Sequence, residues 1–480
     1  MPSFAQQARA TRRRLAADRH RPRVHFLPPQ NWMNDPNGLI QFRGEYHMFY
    51  QHNPRAAWWG NMTWGHAVSR DLLHWTDLPH ALEPDAACDD YGVWSGCAVN
   101  DDGRAVLVYT GVHPRYLPGG GPRVQCQCLA TTADMVRFTK HPANPVIAGP
   151  PPELKTANFR DPYVWRQGRT WHMAVGSSDR DRRGAVLLYT SRDLVGWRYR
   201  GPLFQGRGDE AGRIFECPNF FQLGRKWVLI GSPIPLGRAV YFTGTFDGRR
   251  FTPEVRGEVD PGGSLYAPQA FLDASGRRVL FGWLWERRSR RAASRAGWAG
   301  VMSLPRVLTL RPDGRLDFAP AAEVEQLRRR AARMGPLEIP AGEALLLRGM
   351  SGDCMEIAAE LAGGRAKRFG LKVRCSRRGT EQTLIVCDRG AGTLAIDTTR
   401  SSRSPAVQTG VGAARLRLGR GETLKLRVFL DASVVEVFAN GHTCLTGRVY
   451  PAGKNSTGAA VFADGGAATA VSLEVWDLKL

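Results

Sequence analysis

Three short segments carry carboxylates in settings that could do chemistry. They are Asn31-Trp32-Met33-Asn34-Asp35-Pro36-Asn37-Gly38, Arg160-Asp161-Pro162 and Glu216-Cys217-Pro218. In the first, Asp35-Pro36 and Asn37-Gly38 are turn dipeptides, yet Trp32 and Met33 beside them are poor choices for an exposed loop. An aromatic next to a carboxylate suits a sugar, with a flat face for its C–H side and an acceptor for its hydroxyls. Two carboxyl groups flanking a sugar are what glycosyl transfer requires. One attacks the anomeric carbon or stabilises its charge while the other protonates the leaving oxygen. Asp35, among amides and turn N–H groups, is expected to stay ionised and to act as nucleophile. Glu216, between Phe215 and Cys217-Pro218, has an apolar setting expected to suit a proton donor. Asp161, next to Arg160, is expected to remain charged and to hold sugar hydroxyls. Taken singly, each has a plainer reading: a turn residue, a satisfied buried acid, a surface Arg–Asp pair.

These segments can meet only if the fold brings them together, and an internal repeat says how. A glycine turn leads into an apolar strand five times, at Gly44, Gly103, Gly168, Gly224 and Gly276, at intervals of 59, 65, 56 and 52 residues. A second marker runs in phase with it. Ser69-Arg70-Asp71-Leu72-Leu73-His74-Trp75 recurs as Thr132-Ala133-Asp134-Met135-Val136-Arg137-Phe138 and as Ser191-Arg192-Asp193-Leu194-Val195-Gly196-Trp197, with a looser copy ending at Phe251. Each unit is long enough for a four-stranded sheet, and helical periodicity is absent. The expectation is a five-bladed β-propeller over residues 24–319. The first strand of each blade would line the central channel. The residues just before each marker glycine would then face it: Asn34-Asp35, Trp94-Ser95-Gly96, Arg160-Asp161-Pro162, Glu216-Cys217-Pro218 and Tyr266-Ala267-Pro268-Gln269. Polar or aromatic groups at one phase predict a single composite site.

Beyond Leu310 the pattern changes. Ala321, Val324, Leu327, Ala331 and Met334 are spaced as on one helical face and are followed by Gly335-Pro336, which predicts a linker helix over 320–336. Short alternating strands then return to the C-terminus, as in Leu424–Leu430 and Val434–Phe438, and predict an antiparallel β-sandwich over 337–480. Asp431 and Glu436 lie there and read as a strand-edge turn and a solvent-facing position.

Composition narrows the function classes. The 480 residues imply two domains. The balance of 66 basic and 44 acidic residues, +22, raises nucleic acid as a partner. The arginines are spread along the chain without a recognised nucleic-acid motif, so neither nucleic acid nor a membrane is expected. The denser runs, in the basic tail 1–23 and over Arg287–Arg295, read as a solvated tail and a solvated loop. Nine cysteines at irregular spacing complete no zinc site. With no apolar leader after the basic N-terminus, reduced thiols in a cytoplasm are expected.

The three acidic segments, in order and spacing, resemble the signatures of glycoside hydrolase family 32, the invertases, levanases, inulinases and sucrose-6-phosphate hydrolases. The likeness continues through Trp59-Gly60-Asn61-Met62, Trp64-Gly65-His66-Ala67, Tyr266-Ala267-Pro268-Gln269, Gly297-Trp298-Ala299-Gly300, Leu304-Pro305-Arg306, Phe429-Leu430-Asp431 and Glu436-Val437-Phe438. The resemblance implies an all-β chain, a five-bladed propeller followed by a β-sandwich, and a retaining mechanism without metal or organic cofactor. It implies Asp35 as the nucleophile that forms a fructosyl-enzyme, Glu216 as the acid/base, and Asp161 as the group gripping the fructose hydroxyls. By the same resemblance Asn34, Gln51, Trp59, Ser95 and Arg160 match fructose-contacting positions, and Trp32, Trp94, Tyr266 and Trp283 would wall the pocket. The expected substrate is a small sugar: sucrose first, then a fructan taken by an exo-levanase or inulinase, then sucrose-6-phosphate. A propeller that binds carbohydrate without catalysis is the reading from a different class. Two departures stand out: Asn219 where an acidic residue commonly follows Glu-Cys-Pro, expected to alter the surroundings of the acid/base, and Trp94-Ser95-Gly96 where Phe-Ser-Gly is common. Oligomeric state leaves no signal in the sequence.

Overall fold

In a computed structural model, which describes residues 3–113, 124–347 and 349–480, five antiparallel sheets follow one another along the chain, and two further sheets follow them. The marker glycines sit in the hairpins joining the first and second strands of each blade. All five have positive φ, from 56° to 93°, a backbone that costs glycine nothing. The second marker closes the outer edge. Asp71 Oδ1 accepts from the N–H groups of Leu73 and His74, Asp134 Oδ1 from Val136 and Arg137, and Asp193 Oδ1 from Val195 and Gly196. The repeated Asp is therefore a turn-former that joins the third and fourth strands, with no part in chemistry.

The innermost strands are Asn31–Phe42, Gly92–Asp101, Phe159–Gln167, Ile214–Leu223 and Leu265–Leu272. Each packs on the next and the last packs on the first, so the ring closes with five blades. Closure is reinforced by a segment inserted into blade five: Trp298-Ala299 pairs in parallel with Asn31-Trp32 of blade one. The Arg287–Arg295 run, expected as a solvated loop, lies in this insertion. Residues Arg290–Ala296 form a short helix capped by Ser289, and Arg288 is buried against Glu286.

The C-terminal domain is a sandwich of a seven-stranded and a six-stranded sheet around its own apolar core, which includes Ile357, Phe369, Leu371, Val428, Val437 and Val461. The linker helix expected over 320–336 does not form. Residues Ala322–Leu327 make one 3-10 helix, and Arg328–Met334 is a strand that pairs with the C-terminal strand Ala468–Leu478. The apolar spacing was real, since Val324 and Leu327 are buried. An apolar residue at every third or fourth position fits a tight turn and an edge strand as well as a helix.

The basic tail is also not a solvated coil. Phe4–Leu15 is a helix with a Ser3–Gln6 capping box. Arg12 makes a two-pronged ion pair with Asp77 in blade one, and Arg19 donates to the carbonyls of Pro451 and Ala452 in the sandwich. Asp431 and Glu436, expected as a turn edge and a solvent-facing position, are both fully buried. Asp431 accepts N–H groups from Arg23, Val24 and His25 and a bond from His25 Nδ1. Glu436 binds His25 Nε2, Leu304 N–H and Arg306 Nη2. These acids lock the two domains and the N-terminal segment together.

Candidate active site

All five inner strands break register at the same height. The shifts fall between Met33 and Pro36, Trp94 and Gly96, Arg160 and Tyr163, Glu216 and Asn219, and Tyr266 and Gln269. In four of them a proline sits at the break: Pro36, Pro162, Pro218 and Pro268. Proline has no N–H to give the ladder, so pairing lapses there and the neighbouring side chain is re-aimed. Asp161, Cys217 and Ala267, each just before its proline, take φ of 61°, 49° and 45°, a costly backbone that persists where surroundings impose it. Blade two uses glycine instead. A Cβ on Gly96 would lie 2.0 Å from the Val108 carbonyl oxygen.

These five bulges open on one cavity of 510 Å³ at the channel mouth. It is lined by Asn34, Asp35, Gln51, Trp59, Trp94, Ser95, Arg160, Asp161, Glu216, Tyr266 and Trp283, so every site residue expected from the sequence except Trp32 borders it. Trp32 stands directly behind. Its indole N–H donates to Asn34 Oδ1 at 2.7 Å, and its ring packs edge-on to Trp283. Three lining residues were missed: Gln125, Ala157 and Asn158. Gln125 Oε1 accepts from Phe159 N–H and Arg160 Nη1, and Asn158 Oδ1 accepts from Arg160 Nη1. Asn158 adjoined a motif already singled out, whereas Gln125 sits on a third strand with no signal of its own.

Asp35 accepts from Ser95 Oγ at 2.7 Å and from Asn34 Nδ2 at 3.0 Å. Asp161 accepts the Cys217 N–H at 2.9 Å. The Cys217 thiol sits 3.5 Å from each of these two carboxylates. Burial raises both acids above the ordinary carboxylate value. The Ser95 and Asn34 bonds oppose this at Asp35, the Arg160 charge opposes it at Asp161, and the charge of Glu216 adds to it at both. The expectation that amides would hold Asp35 down, and that Asp161 would simply stay charged, therefore underestimated burial.

Glu216 is not in apolar surroundings. Arg160 grips it through Nε and Nη2, at 3.0 and 2.8 Å, and the Tyr266 hydroxyl donates to it at 2.9 Å. The partners of Glu216 come from blades three and five rather than from its sequence neighbours Phe215 and Cys217. Arg160 pairs with Glu216, across a blade boundary, rather than with its sequence neighbour Asp161. Asn219 spends its amide on the Cys217 and Pro268 carbonyls and the Ala270 N–H, joining blades four and five beneath the site.

A closed propeller carrying three carboxylates and an aromatic wall at one mouth, followed by a sandwich, defines a glycoside hydrolase. Comparison with known families matches residues 25–320 to the glycosyl hydrolases family 32 N-terminal domain and 323–477 to the family 32 C-terminal domain. The chain belongs to glycosyl hydrolase family 32. It is 34% identical over 501 residues to a sucrose-6-phosphate hydrolase of Zymomonas mobilis, covering 98% of this chain and 95% of that protein. It is 36% identical to a raffinose invertase of Escherichia coli, covering 90% and 89%. The crystal structure of fructan 1-exohydrolase IIa from Cichorium intybus superposes with a TM-score of 0.87 at 28% identity, covering 96% of this chain and 98% of that one.

Proposed function

We propose that the protein is a retaining β-fructofuranosidase that hydrolyses the terminal non-reducing β-D-fructofuranoside of sucrose. The observation that carries this reading is the opening of Asp35 and Glu216, from different blades, onto the same cavity with Asp161 alongside. In the first step an Asp35 oxygen bonds to the anomeric carbon as its bond to the glycosidic oxygen breaks. Glu216 gives that oxygen its proton, and glucose leaves. In the second step Glu216 takes a proton from water, the water oxygen bonds to the anomeric carbon, and Asp35 departs. Asp161 accepts hydroxyls of the fructosyl ring and opposes the positive charge that develops on it. Trp94, Tyr266 and Trp283 wall the ring, with Trp32 packed behind Trp283, and the indole N–H groups of Trp94 and Trp283 have no partner among the described residues.

Sucrose ranks above sucrose-6-phosphate because, among the described residues lining the cavity, Arg160 is the one cation, and it is committed to Glu216. An exo-acting levanase or inulinase is the second reading, favoured by Trp59, which lines the cavity, is 43% exposed and offers stacking to a further sugar unit. The test is fructose release from equal concentrations of sucrose, sucrose-6-phosphate, inulin and levan. The expected result is a dominant sucrose rate that vanishes in Asp35→Ala. No release from any of the four by folded protein would overturn the hydrolase reading.

A further inference from the structure

Blade two contains a chemical group that fructoside hydrolysis does not use. Three thiols meet where the connection from blade one enters: Cys128 Sγ lies 3.7 Å from Cys88 Sγ and 3.8 Å from Cys126 Sγ. Cys126 and Cys128 are fully buried on the third strand of the blade, Val124–Thr132, while Cys88 is half-buried in the connection. The space for the sulfurs exists because residue 111 is glycine. A Cβ there would lie 2.7 Å from the Cys88 carbonyl oxygen, 3.0 Å from Cys128 Sγ and 3.2 Å from Cys126 Sγ. The connection itself is held. Asp89 caps the Ala86 N–H and binds Tyr109 Oη and Lys140 Nζ at 2.8 and 2.7 Å. The Lys140 ammonium is thereby fixed beside the cluster, and thiol hydrogen bonds from Cys126 and Cys128, together with Lys140, draw the Cys88 thiol below its usual range.

We propose that Cys88 and Cys128 are a redox pair that a hydroperoxide closes reversibly into a disulfide. Cys88 is the sulfur a small oxidant reaches first. Its thiolate attacks the terminal peroxide oxygen, the O–O bond breaks, hydroxide or alkoxide leaves, and Cys88 becomes a sulfenic acid. Cys128 then attacks the Cys88 sulfur, the S–O bond breaks, and the departing oxygen takes the Cys128 proton to leave as water. Two electrons pass from the two sulfurs to the peroxide. Cys126 is not the partner of Cys128: two residues apart on one strand, their Cα atoms are separated by roughly 6.6 Å, at the upper limit for a disulfide. The Cys88–Cys128 link joins the connection that enters the inner strand carrying Trp94 and Ser95 to the strand carrying Gln125, all three of which line the catalytic cavity.

The test treats native full-length protein with a few equivalents of hydrogen peroxide, alkylates the remaining thiols, and maps disulfides by fragmentation of non-reduced peptides. The expected result is loss of two of the nine thiols, recovery of a Cys88–Cys128 link, and its reversal by dithiothreitol. In Cys128→Ser the sulfenic acid on Cys88 is expected to persist and be trapped by dimedone. The mapping on unsubstituted protein stands even if that variant fails to fold. Over-oxidation of Cys88 without a link, or a full complement of reactive thiols until the protein is unfolded, would overturn the proposal.

Discussion

Replacing His25 with Gln tests the lock between the domains. His25 is fully buried between two carboxylates, Nδ1 at 2.9 Å from Asp431 and Nε2 at 3.1 Å from Glu436. Burial alone would lower its pKa, yet the bonds to Asp431 and Glu436 and their charges raise it from 6.5 to about 9. That shift is worth about 3 kcal/mol. Two charge-assisted hydrogen bonds at about 1.5–3 kcal/mol each give the same order. The raised folded-state value fixes the sign. The stabilisation is complete below about pH 6.5, where the unfolded histidine is also protonated, and is lost as pH rises through about 9. The other groups of the network keep their charge in that window: Glu436 is lowered to about 2, Asp431 is also lowered, and Arg306 and Arg23 are raised. Burial pushes the Cys354 and Cys444 thiols up, so they stay protonated. Urea unfolding of both proteins at pH 6 and pH 9.5 is the assay. His25→Gln should cost about 3 kcal/mol at pH 6 and under about 1 kcal/mol at pH 9.5. A cost that is equal at both pH values would refute the assignment of a buried imidazolium.

Three further outcomes follow from the site. Ser95→Ala removes the 2.7 Å donor from Asp35, which opposes the burial-driven rise. The acid limb of the kcat/KM profile for sucrose should lie above the ordinary carboxylate range in the parent and move higher still in the variant, and an unmoved limb would contradict it. Arg160→Lys replaces a fork bound to Glu216, Asn158 and Gln125 with a single point charge. A loss of about 1.5–3 kcal/mol, roughly 10–100-fold in kcat/KM, is expected from steady-state kinetics. Gly96→Ala forces a Cβ to 2.0 Å from the Val108 carbonyl oxygen, whereas Gly335 has nothing within 4 Å. Thermal melts should therefore show severe destabilisation for the first and near-neutrality for Gly335→Ala.

The sequence by itself determined the architecture and the location of the site. Glycine at positive φ and an Asp that ties its own turn are local requirements, met by residues a few positions apart, so Gly44 to Gly276 and Asp71 to Asp193 could be read as a period. Asp35, Asp161 and Glu216 each precede a marker glycine by a few residues, which placed them on the inner strands at one end of the channel. The environment of each acid was decided only in three dimensions. Phe215 and Cys217 flank Glu216 in the chain, but Arg160 and Tyr266, from two other blades, supply its hydrogen bonds. Asp35 and Asp161 are raised because the closed ring buries them, a property of five blades together. Asp431 and Glu436 looked like surface residues because the partners that consume their charge, His25 and Arg306, are far away in the chain. The stretch 320–336 followed helical spacing yet became a turn and a strand, because the open edge of the C-terminal strand supplied hydrogen bonds that a short isolated helix could not match.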